Sequence, residues 1–452
     1  MAAREPPRHG HGGTRLSCPT PATTTTTTSN LCSFLNRAAS AWLVCAVLSL
    51  FLFNLLWFYP VDAPWNAALR SVAATSGEGK HPSMAMAGAG GEGARCDYSE
   101  GRWVAAPGRA RRYNGTACNV KESERCVGNG RPDTGYLDWR WQPASCELPA
   151  FDAAAFLAAA RGRHVAFVGD SMARNQAESL VCFLATGASP YTLVYRDPNP
   201  RERKFWRWAF PAHNVTVSVY WAPFLARSTG KTDDYRKPHN DVYLGALAER
   251  WSADADTMDV VVISQGHWFW IPTIYHDAAT GEVVGMHNVT GLKNTGDIGL
   301  FAPYRRTLRM ALDRLVGSGA GNRTRTVVVA TFSPSHFEKA WDDPTTCART
   351  RPYEEGEKEV GANERELRTI AMEEVAAAAA RRGDGESRVE VLDVTKLATM
   401  RPDGHPGVYM HRDPFARGVP KRLQVDCLHF CLPGPVDTFN EILLQLLISK
   451  RR

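Results

Sequence analysis

Four short valine-rich runs constrain this chain more than any other feature. They occupy residues 164–168 (HVAFV), 259–263 (DVVVI), 325–330 (RTVVVA) and 389–394 (VEVLDV). Runs that are continuously apolar, without alternation, belong to strands buried on both faces, as in a parallel sheet. Helix-like stretches separate them, at 172–184, 303–316 and 363–381, and a last one spans 438–448. Strands alternating with helices predict an α/β fold with a parallel sheet covered on both sides. Ligand sites in such open sheets lie beyond the carboxyl ends of the strands. The loops starting at 169, 264 and 332 are therefore expected to share one edge. The chain shows no internal repeat.

Before this region the texture differs. Residues 1–37 are rich in Pro, Gly, Ser and Thr, with a threonine run at 23–28, and lack the apolar content to offset chain entropy. They read as a disordered tail. Residues 38–59 (AASAWLVCAVLSLFLFNLLWFY) are almost wholly apolar. As a helix they rise about 33 Å, enough to cross a hydrocarbon core of roughly 30 Å. A cleaved signal peptide or a buried core helix are the alternatives. A signal core is shorter and ends near small residues, whereas this run ends in Trp-Phe-Tyr-Pro. Trp57 and Tyr59 fit an interfacial belt, so a single transmembrane signal anchor is the expectation. Arg4, Arg8, Arg15 and Arg37 precede the run against one acid, Glu5, and Asp62 follows it. The positive-inside rule then puts the N-terminus in the cytosol and the body in the lumen.

Two features agree with a lumenal body. Sequons at Asn114, Asn214, Asn288 and Asn322 all follow the apolar run. Eight cysteines follow it too: Cys96, Cys118, Cys126, Cys146, Cys182, Cys347, Cys427 and Cys431. An even number in an oxidising compartment implies up to four disulfides, with free buried thiols as the alternative. There is no CxxC pair and no His/Cys group at zinc spacing, so no metal is expected. The net charge of +6 comes without a basic run and gives nucleic-acid binding no support. Residues 60–95, rich in Ala, Gly and Ser, read as a flexible stem. Residues 96–150 read as a small cysteine-rich lobe tied by disulfides, and 151–452 as the α/β domain.

The chemistry concentrates in two segments. FVGDSMARNQAESL, 167–180, takes a strand into Gly169 and opens a helix at Ser171. A helix N-terminus there aims backbone N–H groups and a partial positive charge at whatever Ser171 attacks. Serine and aspartate are also ordinary helix caps, so the tripeptide Gly169-Asp170-Ser171 is weak evidence alone. The second segment, QVDCLHFCLPGPVDTFNEIL at 424–443, strengthens it. Asp426 and His429 are three apart, so the carboxylate can hold the imidazole and leave its other nitrogen free for the Ser171 proton. Other histidines compete. His405 lies in RPDGHPG, a rigid turn, while His267 and His336 follow predicted strands and are placed to line a pocket.

The combination of GDS with Arg174-Asn175, DCxHxCLPGPxDTxNE, GRPDTGYLDWRWQPASCELP (130–149) and RPDGHPG (401–407) resembles the plant trichome birefringence-like family. That family lies within the SGNH (GDSL-type) esterase group, and the resemblance covers about residues 95–450. It implies an SGNH-hydrolase-like sandwich and a single-pass Golgi membrane enzyme that O-acetylates wall polysaccharides. It implies a triad of Ser171, His429 and Asp426, with acetyl carried on the serine. It also implies the pairing Cys96–Cys146, Cys118–Cys182, Cys126–Cys431 and Cys347–Cys427.

The ending CLPGPVDT is similar to the branch acting on xyloglucan and mannan. Xyloglucan is the expected hemicellulose acceptor, with glucomannan next and an acetyl esterase as a further alternative. An acetyl donor is required, no bound cofactor is implied, and a membrane protein supplying that donor is a possible partner. The chain departs from the wider group at Ser264-Gln265-Gly266-His267-Trp268, where the oxyanion-hole asparagine has no counterpart. The amide of Gly266 or the side chain of Arg174 is the expected substitute. The alternative for Arg174 is pairing with an acid such as Asp170. Trp139, Trp141, Trp268 and Trp270 are candidates for stacking on sugar rings, with core packing as the alternative.

Overall fold

The computed structural model describes residues 96–449, apart from short stretches at 109–112, 114, 116–117, 119, 188, 198–204, 292–294, 318–323 and 382–386. The expected tail, membrane span and stem (1–95) lie outside the described residues, as do Asn114 and Asn322. Among the described residues no helix is long and apolar enough to cross a membrane.

The described residues open with a ribbon in which β1 (Gly101–Ala105) pairs antiparallel with β2 (Trp139–Pro143). Helix α1 (Ala153–Ala159) then leads into β3 (His164–Gly169) and helix α2 (Ser171–Gly187). Next come β4 (Thr192–Arg196), β5 (Phe205–Phe210) and β6 (Val215–Trp221), then β7 (Ala226–Gly230) and β8 (Asn240–Leu247). Helix α3 (Glu249–Asp254) precedes β9 (Val260–Ser264), β10 (Thr273–Asp277) and β11 (Val283–His287). The rest is α4 (Phe301–Val316), β12 (Thr326–Ala330), α5 (Ala362–Arg381), β13 (Arg388–Leu392), α6 (Thr395–Thr399) and α7 (Asp437–Ile448).

The main sheet has seven strands in the order β13-β12-β9-β3-β6-β5-β4. The four valine-rich runs form β3, β9, β12 and β13, adjacent and parallel. β6 continues the parallel set beside β3. The expectation of a parallel sheet needs correcting at the other edge, where β5 and β4 run antiparallel. Only a 3-10 turn at Pro211–His213 and the left-handed Asn214 separate β5 from β6. So short a link permits only antiparallel neighbours. A second, four-stranded sheet, β11-β10-β8-β7, is also mixed and was not legible in the runs.

The alternation of the central strands sorts the core into two layers. Val165, Phe167, Val260, Val262 and Val328 face one side, with Ala173, Leu180 and Leu184 of α2 and Phe439, Ile442 and Leu443 of α7. Ala166, Val168, Val261, Ile263 and Val327 face the other, with Leu308 and Leu312 of α4 and Leu367 and Ile370 of α5. Each Val, Leu, Ile or Phe among them contributes about 1.5–3 kcal/mol when fully buried. The first layer also takes in Trp103, Tyr113, Cys118 and Trp141 from the N-terminal lobe, which therefore shares its core with the α/β body.

Among the described residues four disulfides are present: Cys96–Cys146, Cys118–Cys182, Cys126–Cys431 and Cys347–Cys427. A buried polar network joins α2 to α7. The carboxylate of Asp437 accepts from Tyr113 Oη at 2.7 Å, Ser179 Oγ at 2.6 Å and the Gly434 amide at 3.0 Å. Asn440 Nδ2 donates to the Gln176 carbonyl and to Ser179 Oγ, both at 3.0 Å. The DTxNE stretch is thus a structural lock between two helices. Asp437→Ala strands three buried donors and is expected to cost about 3 kcal/mol or more of unfolding free energy, against about 1 kcal/mol for Ser179→Ala. Urea unfolding of the two variants checks this ranking.

Candidate active site

Gly169 ends β3 at φ +152°, and a Cβ there would lie 1.7 Å from the Ser264 carbonyl oxygen of β9. Only glycine lets the strand end so close to its neighbour before turning into α2. Asp170 then caps the helix. Its Oδ1 accepts from the Met172 amide at 2.9 Å and its Oδ2 from the His267 amide at 3.3 Å. Burial pushes the Asp170 carboxyl up to about 6 against those donors. Ser171 is the first residue of α2, so the helix N-terminus faces it.

The opposite wall comes from a loop near the C-terminus. Asp426 Oδ1 accepts from the amides of Leu428 and His429, at 3.0 and 2.9 Å. Its Oδ2 lies 2.7 Å from His429 Nδ1. The three-residue spacing works because one carboxylate closes the turn with one oxygen and holds the ring with the other. Burial opposes ionisation of Asp426, but the His429 imidazole and these donors outweigh it and hold the carboxyl well below the usual range. An Nδ1–H donated to Asp426 leaves His429 Nε2 as the free nitrogen, and it has no hydrogen-bond partner.

Ser171 and His429 line the same cleft of about 470 Å³. Its other walls include His267, Trp268 and Trp270 from the loop after β9, Phe332 after β12, and Tyr235 and Phe337. The expected shared edge is therefore real: the loops after β3, β9 and β12 meet there. Trp268 packs edge-on to Trp221 at 5.3 Å and tilts against Tyr235 at 5.5 Å. Trp139 and Trp141 sit elsewhere. Trp141 is buried with its Nε1 donating to the Tyr98 carbonyl, and Trp139 packs on the same core, so core packing accounts for both. Tyr235 and Phe337 carried no sequence signal, since each is a lone aromatic in a polar loop.

His267 is neutral, its pKa pushed down to about 3 by burial and by the neighbouring His429. His336 does not line the cleft. It pairs instead with His405 behind the loop.

The two expected oxyanion substitutes are otherwise engaged. The Gly266 amide adds a small pull that lowers the Asp170 pKa against burial. Arg174 pairs neither with Asp170 nor with the cleft. Its Nη2 donates to Glu124 Oε1 at 2.7 Å and its Nη1 to Glu178 Oε2 at 3.0 Å. Burial opposes the charge on Glu124, yet Arg174 outweighs it and holds that carboxyl low, while burial pushes Glu178 up. Glu124 was not singled out from sequence, because a Glu in a charged stretch (KESER) reads as solvated surface. Asn175 reaches the His429 loop directly. Its Nδ2 donates to the Phe430 carbonyl at 3.0 Å, and its Oδ1 accepts from the Phe430 amide at 3.2 Å. Among the described residues no His/Cys/Asp/Glu group is arranged to hold a metal.

A serine at a helix N-terminus facing a carboxylate-held imidazole defines the acyl-transferring serine enzymes as a class. Comparison with known proteins places the chain within it. A family described as a GDSL/SGNH-like acyl-esterase family found in Pmr5 and Cas1p matches residues 148–446, and a PMR5 N terminal domain matches 94–147. The chain belongs to this acyl-esterase family, and within it to the trichome birefringence-like proteins. It is 44% identical over 409 residues to xyloglucan O-acetyltransferase 1 of Populus trichocarpa, covering 90% of this chain and 92% of that protein. It is 47% identical over 354 residues to xyloglucan O-acetyltransferase 1 of Arabidopsis thaliana, covering 78% and 80%. Trichome birefringence-like 26 of Arabidopsis thaliana is 37% identical over 363 residues, covering 79% and 78%.

Two outcomes follow from the charges. Arg174→Met leaves Glu124 buried with only the more distant Lys121, at 4.0 Å, as counter-charge and is expected to cost about 3–5 kcal/mol, read from denaturant midpoints. Asp426 has a depressed folded pKa, so its stabilisation is full above the ordinary carboxylate range and is lost as pH falls through and below it. The stability gap between the wild type and Asp426→Asn should therefore be widest near neutrality and shrink below about pH 4.

Proposed function

We propose that the chain transfers acetyl groups to a plant hemicellulose, xyloglucan first, through an acetyl-Ser171 intermediate. The observation that carries this reading is the cleft shared by Ser171 and the unpartnered His429 Nε2, with Nδ1 of the same ring held at 2.7 Å by Asp426. Ser171 Oγ attacks the acetyl carbonyl of the donor while His429 Nε2 takes the serine proton. The imidazolium, steadied by the Asp426 carboxylate, passes that proton to the leaving group as the tetrahedral intermediate collapses. A sugar hydroxyl then attacks the acetyl ester and gives its proton to His429. Collapse frees the O-acetylated sugar and returns Ser171 Oγ–H. The Ser171 amide and the N-terminal end of α2 face the developing oxyanion, and one such donor is worth about 10²–10³ in rate.

Acceptor preference rests on the relatives named as xyloglucan O-acetyltransferases and on the CLPGPVDT ending. Glucomannan is the next acceptor. Trp270, Tyr235 and Phe337 supply aromatic faces on which sugar rings stack, with the buried Trp268 backing Tyr235. The anchor at 38–59, the four sequons and the disulfides support a Golgi membrane location with the body in the lumen. Asn214 and Asn288 are both exposed, as acceptors for glycans must be. The acetyl donor comes from outside the chain, and a membrane protein that delivers it fits the anchored topology.

Purified protein supplied with an acetyl donor and defined oligosaccharides tests the reading. Acetylated xyloglucan oligomers are expected, with Ser171→Ala lowering the rate by about 10³-fold or more. A serine acetyl ester of wild type should be trapped by mass spectrometry when the acceptor is withheld. Acetate release with no acetylated sugar would make the chain an esterase, and preference for xylan oligomers would overturn the acceptor.

A further inference from the structure

The RPDGHPG turn takes no part in the cleft, yet it carries a buried histidine pair whose proton count is set by geometry. His336 Nε2 lies 2.8 Å from the Thr399 carbonyl oxygen. His405 Nδ1 lies 2.7 Å from the His429 carbonyl oxygen. The remaining ring nitrogens, His336 Nδ1 and His405 Nε2, face each other at 2.7 Å. Carbonyl oxygens only accept, so each end of the pair uses one N–H. The contact between the rings then needs a third proton. Two neutral imidazoles hold only two, and wherever those two sit, one of the three short contacts becomes lone pair against lone pair.

We propose that His336 and His405 are positioning residues that share one proton, and that this proton clamps the peptide of His429 in the place its imidazole needs for proton transfer. The proposal rests on His429 being the general base. Its route is short. The held carbonyl belongs to His429 itself, and the Gly404 carbonyl accepts from the Cys431 amide at 2.9 Å just beyond. Phe430 stacks on His405 at 4.8 Å with an interplanar angle of 10°.

Several charged groups face the pair. The Asp403 carboxylate is bound by Arg401 at 2.8 and 3.0 Å. Arg131 donates from Nη1 to the His405 carbonyl at 2.8 Å and from Nη2 to the Asp403 carbonyl at 2.7 Å. Asp426 and His429 act on His405, Asp403 and Lys358 on His336, and the Tyr353 ring covers His336 at 6.2 Å. Burial pushes His336 down to about 4, and burial with the neighbouring His336 pushes His405 well below its ordinary value. Burial thus opposes the shared proton while the two carbonyls and the short contact favour it. The proton is held on the acid side and shed as pH rises. Shedding it breaks one contact and frees the His429 peptide, and a displacement of about 1 Å at a reacting group costs about 10²-fold in rate.

The test joins a proton inventory to a pH profile. Ring nitrogens of protein labelled with 15N-histidine are read by long-range 15N–1H correlation from pH 3 to pH 9, a range that spans the depressed titration of the pair. Three N–H nitrogens on this pair at the acid end, falling to two at the alkaline end, are expected. Two throughout would overturn the proposal, whether or not the catalytic reading stands. In the assay, kcat/KM of the wild type should fall on the alkaline side by about tenfold to a hundredfold. His336→Asn puts an amide Nδ2 where the ring Nδ1 was, so it donates to His405 Nε2 without an extra proton. That variant should keep its activity and lose the alkaline fall, while the acid limb remains. An alkaline fall unchanged in His336→Asn would overturn the proposal. Should His336→Asn not fold, the proton inventory of the wild type decides alone. His429→Ala tests the underlying reading separately, since full activity there would remove the base and leave the inventory intact.

Discussion

Two hydrogen bonds from one side chain hold the two halves of the site together. Asn175 donates to the carbonyl of Phe430 and accepts from its amide, across 255 residues of sequence. A side-chain amide has the same donor and acceptor as a peptide group, so it docks on Phe430 as a strand neighbour would. Asn175 lies one turn beyond Ser171 on α2, and Phe430 directly follows His429. The clamp therefore sets the serine and the imidazole relative to each other through almost rigid elements. It is fully buried, where an unmade partner is costly, so it has little freedom to loosen.

Around that clamp the loop is braced on every side. Cys347–Cys427 and Cys126–Cys431 fasten it within and just after the Asp426–His429 turn. The turn at 404–407 runs alongside, with Gly407 and Asp426 exchanging both backbone hydrogen bonds. Beneath, Glu124 accepts from Arg174 and Asn175 with its carboxylate and from the Leu432 amide with its carbonyl. The N-terminal lobe thus contributes Cys126 and Glu124 to the underside of the site. A catalytic loop on a surface is ordinarily mobile, and this much bracing is what a preorganised imidazole requires.

The central sheet was legible because its strands are buried on both faces and had to be continuously apolar. β3, β9, β12 and β13 showed themselves for that reason, and α2, α4, α5 and α7 through length and apolar spacing. β4 and the second sheet were hidden, since their exposed positions mix polar and apolar residues without a clear period. Ser171, Asp426 and His429 were visible as local patterns, GDS and DxxH. Arg174 was visible as a residue but not in its role, because its partners Glu124 and Glu178 are brought to it by the lobe and by the next helical turn. The disulfide pairing came from family resemblance, not from the residues themselves.

What the sequence by itself determined is local: a glycine that permits a strand to end against its neighbour, a serine opening a helix, and a carboxylate three residues before a histidine. Backbone sterics and short-range hydrogen bonding act over a few residues, so such features are written in a few letters. Only the tertiary structure decided that the serine and histidine share a cleft, that Tyr235 and Phe337 join its walls, that Trp139 and Trp141 belong to the core, and that His336 and His405 stand behind the base. Those placements depend on contacts between segments tens to hundreds of residues apart. Their energies come from burial and from paired charges, which no single stretch of the chain contains.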